Sequence, residues 1–330
     1  MDVPEISVVI VNYRGWEVLG SCLDALRSCA ERFPVEVVVV DNHSDDGMAE
    51  VFVRRYPEAK FILQGRNEGF ARANNVGVRH SRGRYLLFLN PDTELSCRAL
   101  ERLYEASQRL GDEVLLSLRQ RNRRGRDEGV MRSFPSAWTV SFLTRPFYQV
   151  LWRMRHRSRC REGGELHPDW VSGSLVWMSR RLFDRTGGWD EHYWLYYEDV
   201  DLCRRVWRHG GRVILFCDPP VLHHHGGTTR RDKKMVAFFK SYVLISRHIY
   251  YRRHYPGAGG SLLLLLMVLN NLLAEQLLPA LAGALLYPFG VARRYLFIYF
   301  YLVRYYLRVL SLRRWSVDPD ELTSRKKKER

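Results

Sequence analysis

Five short apolar runs in the first 117 residues restrict the fold more than any other feature of the chain. Ile6–Val11, Val35–Val40, Phe61–Leu63, Tyr85–Leu89 and Val114–Leu116 read as strands. A strand wetted on one face alternates apolar and polar residues. These runs are nearly continuous, which predicts a parallel sheet covered on both sides. Between them, Trp16–Cys29, Met48–Tyr56, Phe70–His80 and Cys97–Leu110 carry helical periodicity, with breaks or caps near Gly47, Gly69 and Ser96. Repeated strand–helix–strand order then predicts a doubly wound α/β domain.

Residues 118–168 change character. Six arginines fall between Arg119 and Arg132 and six more between Arg145 and Arg161. The stretch reads either as a long, basic, partly mobile excursion or as a solvated charge run. Regular patterning returns with a strand near Val171–Met178, a helix from about Asp199 to His209 ended by Gly210-Gly211, and a strand at Val213–Phe216. From His254 to Ala292 the only acid is Glu275, and Lys and Arg are absent. A membrane span needs about 20 apolar residues, and Asn270, Asn271, Glu275, Gln276 and Pro279 interrupt this one. Tyr295–Leu310 then interleaves seven aromatics with Arg304 and Arg308, as an interfacial helix does. A soluble helical hairpin is the competing reading. Membrane association is favoured, with depth left open, and the final RKKKER suits anionic headgroups.

Lys and Arg outnumber Asp and Glu by 52 to 36, a net charge of +16. That excess implies an anionic partner: nucleic acid, an anionic membrane face or a phosphorylated substrate. No nucleic-acid motif is present, and the charge lies beside loops and apolar segments rather than on a recognition helix, so nucleic acid is set aside. Six scattered cysteines without a C-x-x-C pair suggest free thiols in a reduced compartment. The N-terminus shows no basic n-region or cleavage site, so the catalytic part is expected in the cytosol, on the inner face of the membrane.

Against that basic background, Gly187–Gly210 reads GGWDEHYWLYYEDVDLCRRVWRHG, with Asp190, Glu191, Glu198, Asp199 and Asp201 within twelve residues. Aromatic walls with acids at their rim suit a sugar-sized substrate whose hydroxyl must lose a proton. Ligands of open α/β sheets bind beyond the strands' carboxyl ends. Three polar clusters stand there: Asn12-Tyr13, Asp41 to Asp46, and Asn90-Pro91-Asp92-Thr93. Asp41 can accept from a ribose hydroxyl or cap the next helix. Asp92 is a hard ligand for Mg²⁺ or Mn²⁺, although Asn-Pro-Asp also makes an ordinary turn. His223-His224-His225 precedes Gly226-Gly227, and imidazole can join carboxylates around such a metal. Neither G-x-G-x-x-G after the first strand nor a P-loop occurs, which removes dehydrogenase and P-loop readings.

These motifs, in this order, resemble the inverting family 2 glycosyltransferases with the GT-A fold, most of all the bacterial rhamnosyltransferase-like branch. The matching pieces are SVVIVNYRG from Ser7, VVVVDNHSDDG from Val37, GRNEGFARANNVGV from Gly65 and YLLFLNPDTEL from Tyr85. SGSLVWMSRRLFDRTGGWDE from Ser172, YEDVDLCRRVWRHG from Tyr197 and HHGGTT from His224 follow, so the resemblance spans about 220 residues. It implies that residues 1–240 form a GT-A domain and 241–330 a helical, membrane-associated tail. Within the domain, 1–117 would hold the nucleotide sugar, 118–168 form the basic excursion, and 169–240 supply the acceptor and catalytic half. Asn12, Tyr13, Asp41, Asn67, Asn74, Asn90 and Asp92 would line the donor site. Asn90-Pro91-Asp92 stands where the family carries D-x-D, with Asp92 and His224 on a divalent cation (Mn²⁺ or Mg²⁺). Asp199 falls at the general-base position with Glu198 beside it, and Trp189, Asp190 and Glu191 would meet the acceptor. The implied partners are a nucleotide-sugar donor, such as dTDP-rhamnose, and a lipid-linked glycan acceptor. Asp201 stands four residues before Arg205, the spacing of a helical ion pair. The altered stretch LLSLRQRNRRGRDEG leaves acceptor identity open. With Asn90, it also motivates the competing reading of a catalytically silent nucleotide-sugar-binding scaffold.

Overall fold

A computed structural model describes residues 4–30, 32–141, 144–155, 163–224, 233–286 and 290–323. The chain forms two compact units that interleave along the sequence. The first comprises Met1–Phe134, Ser158–Glu191 and Glu198–Thr228; the second comprises Pro135–Arg157, His192–Tyr197 and Thr229–Arg330.

The first unit begins with β1 (Ile6–Asn12), α1 (Trp16–Ala30), β2 (Val35–Asp41), α2 (Met48–Arg55), β3 (Lys60–Leu63), α3 (Phe70–Arg79) and β4 (Tyr85–Leu89). It continues with β5 (Thr93–Glu94), α4 (Cys97–Leu110), β6 (Val114–Arg121) and β7 (Met131–Arg132). In the second unit, α5 spans Thr144–Arg155. The first unit resumes with β8 (Glu165–Leu166), β9 (Trp170–Val171), β10 (Leu175–Ser179), α6 (Arg180–Thr186), α7 (Glu198–Arg208) and β11 (Arg212–His223). The sheet runs β3-β2-β1-β4-β10-β6-β11-β5, with β8 also on β11. Its pairings are parallel except where β10, β5 and β8 enter. This is the mostly parallel, doubly wound sheet that the apolar runs predict.

Alternation along each buried strand sorts side chains to two cores. Ile6, Val8 and Ile10 of β1 join Leu87 and Leu89 of β4, beneath Leu19, Leu23 and Leu26 of α1 and Leu100 and Leu103 of α4. Val9, Leu86 and Phe88 face the other way, toward Leu182 and Phe183 of α6 and Leu202 and Val206 of α7. Both faces are covered, so no polar alternation survives. Cys29 and Cys97 form a disulfide, Cα atoms 5.1 Å apart, while Cys22 and Cys203 stay buried and free. This corrects the expectation of free thiols at that pair. Its members stand 68 residues apart, and the packing of α1 beside α4 is what brings them together.

The second unit adds α8 (Lys233–His254), α9 (Gly257–Leu269), a π-helical turn at Asn270–Glu275, α10 (Leu277–Leu285), α11 (Gly290–Leu312) and α12 (Pro319–Thr323). Gly257–Leu285 has mean hydropathy 1.7 over its apolar window, and only 22% of that window is buried within the protein. By length and composition it can cross a membrane. The loop His192–Tyr197 packs in this unit: Trp194 stacks on Phe239 and meets Tyr242, and Ser246 Oγ donates to the Leu195 carbonyl at 2.7 Å. A quarter of the aromatic-acid segment, six of its 24 residues, is therefore packing material.

Candidate functional site

The carboxyl ends of β1 and β2 lie side by side because Asn12 and Asp41 are register partners. Asn12 Nδ2 donates to Asp41 Oδ1 at 3.2 Å, and its Oδ1 accepts from Gly15 N–H at 3.1 Å. Asp41 Oδ2 accepts from Ser44 N–H at 3.0 Å. Both residues are buried, and His43 and Asp45 hold φ values of 66° and 49° that bend the chain back over them. Tyr13 follows Asn12 with Arg14 over its ring, 5.4 Å from the centroid. Asn67 Oδ1 accepts from Asn42 Nδ2 at 3.0 Å and from Gly69 N–H at 3.1 Å, which fixes the entry to α3. Asn42, which the sequence analysis left unassigned, therefore links the second and third strand ends.

On α3 the structure separates two neighbours. Asn74 is buried and donates to its own helix at the Phe70 carbonyl, 3.0 Å away. Asn75 instead clamps the distant loop. Its Nδ2 donates to Trp189 O (2.8 Å) and Glu191 Oε1 (2.9 Å), and its Oδ1 accepts from Trp189 N–H (3.0 Å). Trp189 is 1% exposed, edge-on to Phe70 and Phe88. Its ring is core, whereas Asp190 is half-buried and Glu191 is exposed beside Arg72 at 3.3 Å.

Beyond β4, Asn90 N–H donates to Ser174 O at 2.9 Å. Antiparallel pairing of β5 with the end of β11 sets Thr93 opposite His223. That register delivers His223 Nε2 to Asp92 Oδ1 at 3.1 Å, while His223 Nδ1 meets Glu128 Oε2 at 2.8 Å. The family resemblance implied His224 on the metal. In the structure its ring lies on Glu94, 2.5 Å away, with Arg123 Nε on its other nitrogen. Only its backbone N–H reaches Asp92, at the carbonyl. Burial lowers the His223 imidazole's pKa, but Asp92 and Glu128 outweigh it and raise the value overall. His225–Thr229 lie outside the described residues. Neither Glu128 nor Arg123 was foreseen, because they come from the basic excursion.

A divalent cation is what the resemblance implies here. Among the described residues no three His, Cys, Asp or Glu side chains converge as a self-sufficient cage. The donors present, Asp92, Glu94 and imidazole, are those Mg²⁺ or Mn²⁺ accept. Such ions commonly take one or two protein carboxylates and complete their shell with substrate phosphates. The residues fit a cation held largely by its substrate.

The acid pair opens α7. Asp199 Oδ2 accepts from Gly173 N–H at 3.0 Å and Oδ1 from Val200 N–H at 2.8 Å. Ser174, next after Gly173, exchanges hydrogen bonds with buried Gln120 at 2.8 and 3.0 Å. Glu198 is 5% exposed and its Oε2 has no hydrogen-bond partner among the described residues. Burial, then the charge of Asp199, hold the Glu198 carboxyl well above its usual range. Burial also raises Asp199, opposed by the backbone N–H groups it accepts. Of the two, Glu198 takes the proton and Asp199 keeps the charge, because Asp199 accepts from three backbone N–H groups and Glu198 from one. Tyr196 and Tyr197, just before the pair, hold φ of 66° and 69°. Such values in bulky residues cost about 1–3 kcal/mol each and cluster at functional sites. Asp201 pairs with Arg205 at 2.7 Å, as its spacing predicts.

The family model Glycosyl transferase family 2 matches residues 7–185. N-acetylglucosaminyl-diphospho-decaprenol L-rhamnosyltransferase of Mycobacterium tuberculosis is 30% identical over 219 residues, covering 62% of this chain and 71% of that protein. Rhamnosyltransferase WbbL of Escherichia coli is 26% identical, covering 63% and 79%. Mannosyltransferase PcManGT from Pyrobaculum calidifontis, solved with GDP-Man and Mn²⁺, superposes with TM-score 0.52 at 17% identity, over 95% of this chain and 89% of that one. GalNAc-T7, solved with UDP, GalNAc and Mn²⁺, gives 0.53 at 17% identity, over 79% and 53%. At such identities the structural likeness speaks for the fold alone, and the fold is GT-A.

Proposed function

This chain belongs to glycosyl transferase family 2, and from that premise we propose that it transfers L-rhamnose from dTDP-rhamnose to a lipid-linked or polysaccharide acceptor, inverting the anomeric centre. The work would be part of cell-envelope glycan synthesis at the cytoplasmic face of the membrane. Support for the sugar and the acceptor comes from the two rhamnosyltransferase relatives, one of them named for a decaprenyl-diphosphate substrate. Support for membrane association comes from the exposed apolar helix Gly257–Leu285.

The observation that carries the mechanism is the Asp199 carboxylate held by the Gly173 and Val200 N–H groups at the start of α7. Asp199 takes the acceptor hydroxyl's proton as that oxygen attacks the anomeric carbon. The bond from this carbon to the donor's diphosphate breaks, and the nucleoside diphosphate leaves. Buried Glu198, protonated beside it, adds no second negative charge and keeps the base anionic but weakly solvated. Asn12, Tyr13 and Asp41 would grip the nucleoside, with Asn67 and Asn74 lining the pocket and Asn90 beside the diphosphate. Asp190 and Glu191 would meet the acceptor, with Trp189 as their support. Asp92 and the imidazoles at the end of β11, His223 foremost and His224 behind it, would hold a divalent cation. Bound there, Mn²⁺ or Mg²⁺ offsets negative charge on the donor diphosphate.

Asp199→Asn should lower turnover at least about 100-fold, the lower end of what a positioned base contributes, and leave donor affinity within about twofold. The assay measures nucleoside diphosphate release across a panel of nucleotide sugars and lipid-linked acceptors. Undiminished turnover removes Asp199 as the base; no release by the unsubstituted protein with any pair overturns the proposed reaction.

A further inference from the structure

In the second unit, α9 and α11 enclose a groove of about 520 Å³, the size of a small-ligand pocket. Its walls are Leu264, Leu265 and Val268 on one helix and Val309 and Leu310 on the other. Its floor is braced: Tyr306 Oη accepts from Asn271 Nδ2 at 2.9 Å and contacts His248 Nε2 at 3.1 Å. Trp315 stacks on that same imidazole, centroids 5.5 Å apart and planes 8° from parallel. The pocket is thus preformed rather than a gap between loose helices.

Charge collects at one end. Arg252 stands in the last turn of α8 and Arg313 just beyond α11, and both line the groove with Ser261 from the start of α9. From Ser261 to Val268 the helix rises about 10 Å at 1.5 Å per residue, so a cationic mouth leads into an apolar trough. Arg314 pairs with Glu321 at 2.7 Å, whereas neither Arg252 nor Arg313 carries a salt bridge to a described residue. Arg313 also holds φ 53°, a left-handed end position that helices usually give to glycine. Leu265 and Leu310 are exposed and continue the apolar surface of Leu262, Leu266 and Leu269.

We propose that this groove binds an anionic membrane lipid, its phosphate between Arg252 and Arg313 and one hydrocarbon chain along Leu264, Val268 and Val309. Charge complementarity selects the headgroup, and the trough, continuous with the exposed leucines, selects a chain already in the bilayer. The inference rests on the membrane association proposed above.

The test uses the full chain and vesicles of phosphatidylcholine containing phosphatidylglycerol, with bromine in the acyl chains of one lipid or the other. Tryptophan quenching and vesicle co-sedimentation are read together, and the quenching that disappears in Trp315→Phe is the groove's signal. That signal should be several-fold stronger with brominated phosphatidylglycerol than with brominated phosphatidylcholine. Arg252→Ala and Arg313→Ala should each weaken it about fivefold, the ~1 kcal/mol of one arginine near an anionic surface. Inorganic phosphate should leave it unchanged. Sedimentation without a Trp315 signal, or with one indifferent to headgroup and both arginines, overturns the lipid site and leaves membrane association standing. Loss of the signal with inorganic phosphate alone overturns it in favour of a phosphate site. Failure to sediment with any vesicle defeats the membrane reading and this inference together.

Discussion

Asn75→Ala should loosen the loop that carries Trp189, Asp190 and Glu191 by about 2 kcal/mol. Two of the three lost hydrogen bonds join Asn75 to the buried Trp189 backbone, at 2.8 and 3.0 Å. At about 1 kcal/mol net each, plus the cost of leaving a buried donor and acceptor unpaired, they contribute roughly 2–3 kcal/mol. The third goes to Glu191, 39% exposed, and adds little. Alanine's better helix propensity returns up to about 0.7 kcal/mol. The assay is native-state hydrogen exchange at the Trp189 amide, whose N–H is donated to Asn75 itself. A loss of about 2 kcal/mol accelerates its exchange about 30-fold. Asn74→Ala is the control, since that side chain bonds only to its own helix at Phe70 O among the described hydrogen bonds; the Trp189 amide should then change less than threefold. Equal acceleration in both variants, or none in Asn75→Ala, refutes the clamp. If the loop meets the acceptor, Asn75→Ala also raises the acceptor KM more than it lowers kcat.

Glu198→Gln tests the acid pair through pH. Burial and Asp199 raise the folded carboxyl's pKa, so its contribution to stability is present at low pH and lost as pH rises through the folded value. Denaturation midpoints of the unsubstituted protein should therefore fall with rising pH relative to Glu198→Gln above the usual carboxylate range; parallel profiles would remove the buried acid from the argument. Glu128→Gln should raise the metal concentration needed for half-maximal donor binding about 10- to 100-fold, as when a ligand's orienting partner is lost, and calorimetric donor titrations at varied Mn²⁺ measure it. His223→Ala should exceed His224→Ala in the same titration, and the reverse order would restore the assignment that the resemblance implied.

The sheet was legible because burial on both faces leaves a direct mark. A strand such as Ile6–Asn12, 0–8% exposed at its apolar positions, has no room for polar alternation. Helix signals held for the same reason: Ser96 caps α4 by accepting from Ala99 N–H, and Gly210 ends α7 at φ 78°. The placement of the candidate residues was legible, since Asn12, Asp41, Asp92 and Asp199 all stand at or beside element ends, where the strand and helix patterns put them. Their partners were not. Asn74 and Asn75 are chemically identical in the sequence, and only the 100° turn of a helix aims one inward and the other at Trp189.

What the sequence determined by itself was therefore local: which segments are strands or helices, which polar residues cap them, and the ordered motifs that mark the family. Tertiary structure decided the pairings. The β5–β11 register turned His223 rather than His224 toward Asp92, and the bond from Glu128 N–H to the Gln120 carbonyl of β6 brought Glu128 behind it. The packing of α1 on α4 joined Cys29 to Cys97, and the Ser172–Ser174 loop put an N–H on Asp199. Each contact links residues 26 to 131 positions apart. Hydrophobic periodicity reports a residue's own burial, and no periodic signal in a single chain encodes which distant residue will lie against it.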